Sequence, residues 1–116
     1  MTEITKADIL RKVYAAHAQE RRSDEICRAL DLPLATYIKA DMMTTRVMKH
    51  PNWRNQRSPH ALMIDCIWIV AMKQGKKRSQ SQMVKATKEV FGVGTQPRPN
   101  IWWKENWAQE LIEEIL

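Results

Sequence analysis

Between Arg46 and Lys88 the chain carries ten basic side chains, Arg46, Lys49, Arg54, Arg57, Lys73, Lys76, Lys77, Arg78, Lys85 and Lys88, against one acidic side chain, Asp65. That segment has a net charge of +9 in a chain whose total is +6, so the remainder sums to −3. The chemistry open to such a run is ionic: Lys and Arg displace the counterions held by phosphates, a contact that weakens steeply with salt. A solvated basic face kept for solubility is the plainer alternative. No reactive constellation accompanies it. His17, His50 and His60 are not spaced with Cys27 or Cys66 as zinc ligands, and neither a glycine-rich phosphate loop nor a nucleophile elbow is present. Asp65 is a lone carboxylate, expected to reach an Arg or Lys at the rim of the core. These features point to a binding protein and not an enzyme, with no cofactor and no metal.

The residues that would position this charge are helical. With 116 residues, 44% of them hydrophobic, the chain can bury the core of one compact domain or of two small units that share it. Three glycines and the absence of alternating apolar runs predict an all-α fold of about six helices. The run Ala61 to Met72 is apolar except at Asp65 and is too short to cross a bilayer, so it reads as a central buried helix and no membrane association is expected. Two cysteines without a CxxC spacing, and no leader before them, suggest a reducing, cytoplasmic setting.

Residues 1–50 are expected to form three helices. The first starts after Thr5 and presents Ile9, Leu10, Val13, Tyr14 and Ala16 to Ala18. The second is capped by Ser23, with Asp24 and Glu25 in its first turn. At Asp31 the chain must turn sharply, and Asp tolerates positive φ. Pro33 fits the first turn of the third helix. Stepping that helix by 100° puts Tyr37, Ala40, Thr44, Val47 and Met48 inward, and Ala35, Lys39, Met42, Arg46 and Lys49 on the opposite face. Leu34, Ile38 and Met42 form an apolar row along one edge of that face. Three uses are open to it: contact with thymine methyl groups, packing on the second half of the chain, or a protein interface.

The run Leu30-Asp-Leu-Pro-Leu-Ala-Thr-Tyr37, within Ser23 to Met42, resembles the helix-turn-helix of DNA-binding proteins, most closely the form in insertion-element transposases and phage regulators. Asp31 stands where that pattern usually has Gly, and Leu32 where it has a Ser or Thr cap. The resemblance implies double-stranded DNA as partner. The helix after Pro33 would enter the major groove, with Ala35, Lys39, Met42 and Arg46 toward bases. Lys49, Arg54, Arg57, Lys73, Lys76, Lys77, Arg78, Lys85 and Lys88 would hold phosphates.

Residues 51–58 read as a polar connector pinned by Trp53, and residues 59–116 as a second three-helix unit on the same core. Ser58 and Pro59 make a clear helix start. Ser79 and Gln82 match a capping box opening a helix that Gly92 ends. A proline-stiffened loop then leads to a last helix from about Ile101, with Trp103, Trp107, Leu111 and Ile115 on one side and Glu105, Glu110, Glu113 and Glu114 on the other. Around Phe91-Gly92-Val93 this half resembles a helix-turn-helix only loosely, since Lys88 and two prolines break the pattern. The tryptophans suit a core or a self-association seam, and the acidic last helix could dock on the basic middle within one chain or across a homodimer. The rival to DNA binding is a helical inhibitor or adaptor, phage-encoded, that engages an acidic or nucleic-acid-loaded protein through Leu34, Ile38, Met42, Trp103 and Trp107.

Overall fold

The computed structural model describes residues 21–116, which are all-helical. The first predicted helix, with His17, lies outside the described residues. Five α-helices follow: α1 Ser23–Ala29, α2 Leu34–Lys49, α3 Pro59–Lys73, α4 Gln80–Phe91 and α5 Asn106–Ile115, with a 3-10 turn at Pro99–Ile101 before the last. The helix starts follow local chemistry closely. Ser58 Oγ accepts from the Ala61 N–H with Pro59 as the first helical residue, and Ser79 and Gln82 form a complete capping box. Gly92 closes α4 at φ 80°, in the left-handed region.

α1 ends in a Schellman turn whose left-handed residue is Asp31, at φ 55°. The Leu32 N–H donates to the Cys27 carbonyl at 2.8 Å and the Asp31 N–H to the Arg28 carbonyl at 3.1 Å, satisfying the helix end. Two local expectations are corrected. α1 is not capped by Ser23, which is buried as its first helical residue; Arg22, at φ 58°, precedes it and makes no side-chain cap. α2 is likewise uncapped, since Pro33 has extended backbone just before the helix and no acceptor side chain to offer.

α3 is the core element. Ten of its fifteen residues are buried, because helices pack it on most sides. α2 lies antiparallel along it: the two are joined by the 50–58 connector, and the Thr36 Oγ1 near the start of α2 donates to Gln74 Oε1 just past the end of α3. α1 packs on α2, α3 and α4, and α5 packs on α2. The segment 59–116 shares its core with the preceding helices: its last two helices rest chiefly on the first two of the described chain. One hydrophobic cluster runs through all of them, from Ile26 and Cys27 through Met43, Val47, Ile64 and Ile67 to Met83, Trp102 and Ile112.

Inside this cluster sits Asp65, with no exposed surface. Its carboxylate accepts a two-pronged bond from Arg57, both contacts at 3.0 Å, together with the Arg98 backbone N–H at 2.8 Å and the Trp102 indole N–H at 3.0 Å. The Arg57 guanidinium also donates to the Gln96 carbonyl. The loop after α4 is held equally firmly. Gly94 lies so close to α4 that a Cβ there would stand 2.7 Å from Val84 Cγ1, and the Thr95 N–H donates to Thr87 Oγ1. The predicted last helix is interrupted here: Trp102 is buried in the core and Trp103 precedes α5 instead of lying on it.

Removing one member of a buried, hydrogen-bonded ion pair leaves the other charge uncompensated. Asp65→Ala is therefore expected to lower the unfolding free energy by about 3–5 kcal/mol, read from urea denaturation, and Asp65→Asn by less. A loss for Asp65→Ala within the range of surface substitutions would show that this carboxylate does not hold the fold.

Candidate nucleic-acid interface

The thirteen residues expected at a DNA surface fall into three groups. The first is structural. Arg57 is held by Asp65 with a side chain only 14% exposed, so it is not available to phosphate. Arg78 is also turned inward: its Nε donates to the Leu30 carbonyl at 2.8 Å, one terminal nitrogen to the Asp31 carbonyl at 3.0 Å and the other to the Lys76 carbonyl at 2.9 Å. A guanidinium offers five donors in a fixed fork, and here that fork ties the α3–α4 loop to the turn between α1 and α2. Both assignments to phosphate are thus corrected, because the buried Asp65 carboxylate takes the Arg57 donors and three backbone carbonyls take those of half-buried Arg78. Arg46 is in between: it pairs with Glu114 of α5 at 2.8 Å on the surface, where screening keeps such a bond weak.

The second group lies at the end of α3, on the α3–α4 loop and on α4. Lys73 ends α3 beside Gln74, whose side chain meets Thr36, and Lys76 and Lys77 lie on the loop that Arg78 fastens to the turn. Lys85 lines a cleft of about 280 Å³ shared with Ala29, Leu30 and Asp31 of the same turn. Lys88 is one turn further along α4 and is exposed. Glu89 and Asp31 also line the cleft, so the lysines there act against two carboxylates. α2 itself starts with no acid in its first turn and no side-chain cap, which leaves its positive end facing outward beside these lysines.

The third group is at the far end of α2. Lys49 and Arg54 are exposed there, about 24 Å along a sixteen-residue helix from its start. Between the two ends runs the outer stripe Ala35, Lys39, Met42, Arg46 and Lys49, exposed or half-buried throughout. The inward face is broader than the sequence indicates. Ala40, Thr44 and Val47 are buried as predicted, but so are Thr36, Asp41, Met43 and Thr45, while Met48 is surface-exposed. Asp41 is matched by Arg21, which also reaches Thr45.

Leu34, Ala35, Ile38, Lys39 and Met42 line a shallow groove of about 330 Å³. Leu34 is 58% exposed while Ile38 and Met42 are half-buried, so the row is open at its first member. Trp103 and Trp107, placed with that row as one interface, are elsewhere. Trp103 meets Trp68 edge-on, and Trp107 stacks on His50 with ring centroids 4.5 Å apart and meets Trp53. All are partly buried against the core.

Among the described residues, no lysine forms an ion pair or a side-chain hydrogen bond, while six of the eight arginines, Arg21, Arg22, Arg28, Arg46, Arg57 and Arg78, hold a partner and Arg54 and Arg98 do not. No group of three or more metal-ligating side chains occurs there, and no helix is long and apolar enough to cross a membrane. Burial pushes the Cys27 thiol up to about 12 and the Cys66 thiol higher still, so neither forms a thiolate near neutrality. His60 is shifted down by burial and by the nearby Arg57 charge. No family model, curated protein or solved structure matches the chain.

The two kinds of cation should separate experimentally. Arg78→Ala is expected to cost about 2 kcal/mol of stability through three lost charge-assisted bonds, whereas Lys76→Ala with Lys77→Ala should change the urea midpoint little. Equal losses in the two variants would contradict this division.

Proposed function

We propose that this chain is a sequence-specific duplex DNA-binding protein, a regulator or the recognition subunit of a larger assembly of a phage or mobile element, with α2 as the helix that enters the major groove. The observation that carries the reading is the pairing of an open outer face of α2 with the unpaired Lys76 and Lys77 on the loop that Arg78 fastens to the turn before it. A major groove is about 12 Å wide. A helix of about 24 Å laid in it, with Lys73, Lys76, Lys77 and Lys85 at one end and Lys49 and Arg54 at the other, would bring cations to both phosphate walls. Phosphate contacts of this kind set register and affinity, and the stripe between them is left to discriminate sequence. A homodimer would add a second half-site, as helix-turn-helix proteins commonly use.

Each phosphate neutralised contributes about 0.9 to the slope of log K against log salt. Lys76→Ala with Lys77→Ala is expected to weaken binding to random-sequence duplex and to reduce that slope by roughly two, measured by filter binding across a salt series. An unchanged slope would remove both lysines from the interface.

The row of exposed Leu34 and half-buried Ile38 and Met42 along a shallow groove favours a second reading, a helical adaptor or inhibitor that binds an acidic or nucleic-acid-loaded protein. Charge reversal separates the two. Lys39→Glu with Arg46→Glu is expected to abolish duplex binding while leaving the helical circular dichroism intact. Retained duplex affinity in that variant would take α2 out of the groove and favour the adaptor.

A further inference from the structure

We infer that the groove on α2 reads the 5-methyl groups of thymine, so that the preferred duplex is thymine-rich on the face that α2 meets. This rests on the duplex-binding reading and specifies its ligand. In a helix that reads bases by hydrogen bonding, the outward positions carry Asn, Gln, Arg or Ser. Here the groove lining is Leu34, Ala35, Ile38 and Met42, and its one polar group is the Lys39 ammonium. The edge that a base pair presents in the major groove has only one apolar element, the thymine methyl, and it stands next to the O4 acceptor. An apolar groove with a single cation in it matches that pair of features: the methyl group takes the apolar wall, and the ammonium reaches O4 or a neighbouring purine N7.

Charge complementarity selects DNA as the occupant over an apolar protein surface. The exposed face of α2 carries no acidic side chain, since Asp41 is buried, and unpaired lysines stand at both ends of the groove-bearing helix. Leu34, the most exposed of the lining residues, has its apolar side chain at the start of α2, the end that a helix-turn-helix brings closest to the bases.

Two duplexes of equal length, alternating dA-dT and alternating dA-dU, differ only in that methyl group. With the full chain at one low salt concentration, fluorescence anisotropy should show tighter binding to dA-dT by about fourfold for each methyl group buried, hence about fifteenfold for two. Leu34→Ser, an exposed position whose change leaves the core untouched, should reduce the ratio by about fourfold. Equal affinity of the native chain for the two duplexes would overturn the methyl assignment while leaving duplex binding in place. A preference that survives unchanged in Leu34→Ser would also overturn it, because the discrimination would then come from duplex shape. Binding to neither duplex would overturn the DNA reading itself.

Discussion

A carboxylate without exposed surface must find its hydrogen bonds inside the protein, and Asp65 finds its partners outside its own helix, on the connector before it and on the stretch before α5. Arg57 lies on the connector before α3, and Arg98 and Trp102 lie in the stretch that precedes α5. Satisfying this one group therefore fixes where the chain enters the central helix and where it returns to it. A buried pair of this kind is not by itself a large source of stability over an apolar core, because desolvation offsets much of the attraction. Its effect here is on arrangement: it seats Trp102 in the core and delivers α5 to one side of α2.

That delivery decides which part of α2 stays open. α3 covers one flank of α2, α1 another, and α5 a third along its later turns, where Glu114 meets Arg46 and Trp107 meets His50. What remains is a narrow outer stripe, widest at the beginning, where neither α5 nor the loop after α4 reaches among the described residues. The exposed start of α2 is thus a consequence of packing on three sides, and the loop clamped by Arg78 places Lys76 and Lys77 beside it.

Much of this was legible in the sequence where the signal is local. Ser58 with Pro59, Ser79 with Gln82, and Gly92 each act within one turn of helix, and each stands in the structure as its residue type predicts. Asp31 could be recognised as the left-handed position because few other residues tolerate it. The apolar run of α3 announced the central helix, and the outer stripe of α2 followed from period 3.6, but its inward face is wider than that period indicates because α1, α3 and α5 pack on three flanks and bury Thr36, Met43 and Thr45, with Asp41 paired to Arg21. The roles of Arg57 and Arg78 were not legible. Both bond to groups brought near only by folding, and a basic side chain in a basic segment looks the same in sequence whether it faces solvent or a buried carbonyl. The break between Trp103 and α5 was missed for a related reason: the i+4 spacing of Trp103, Trp107 and Leu111 is satisfied, but the demand of Asp65 for the Trp102 indole pulls the chain out of helix first.

The separation of Arg from Lys in this molecule follows from the chemistry of the two groups. A guanidinium is planar, weakly hydrated and multiply donating, so it loses little when taken from water to bridge a carboxylate and several carbonyls. An ammonium on a four-carbon stem is strongly hydrated and gains least from being fixed. Folding has drawn Arg21, Arg57 and Arg78 into the interior or its margin and left every lysine of the described chain unpaired at the surface. The loop that Arg78 fastens to the turn before α2 carries Lys76 and Lys77, so the same guanidinium chemistry that takes one cation out of play fixes where two free ones stand.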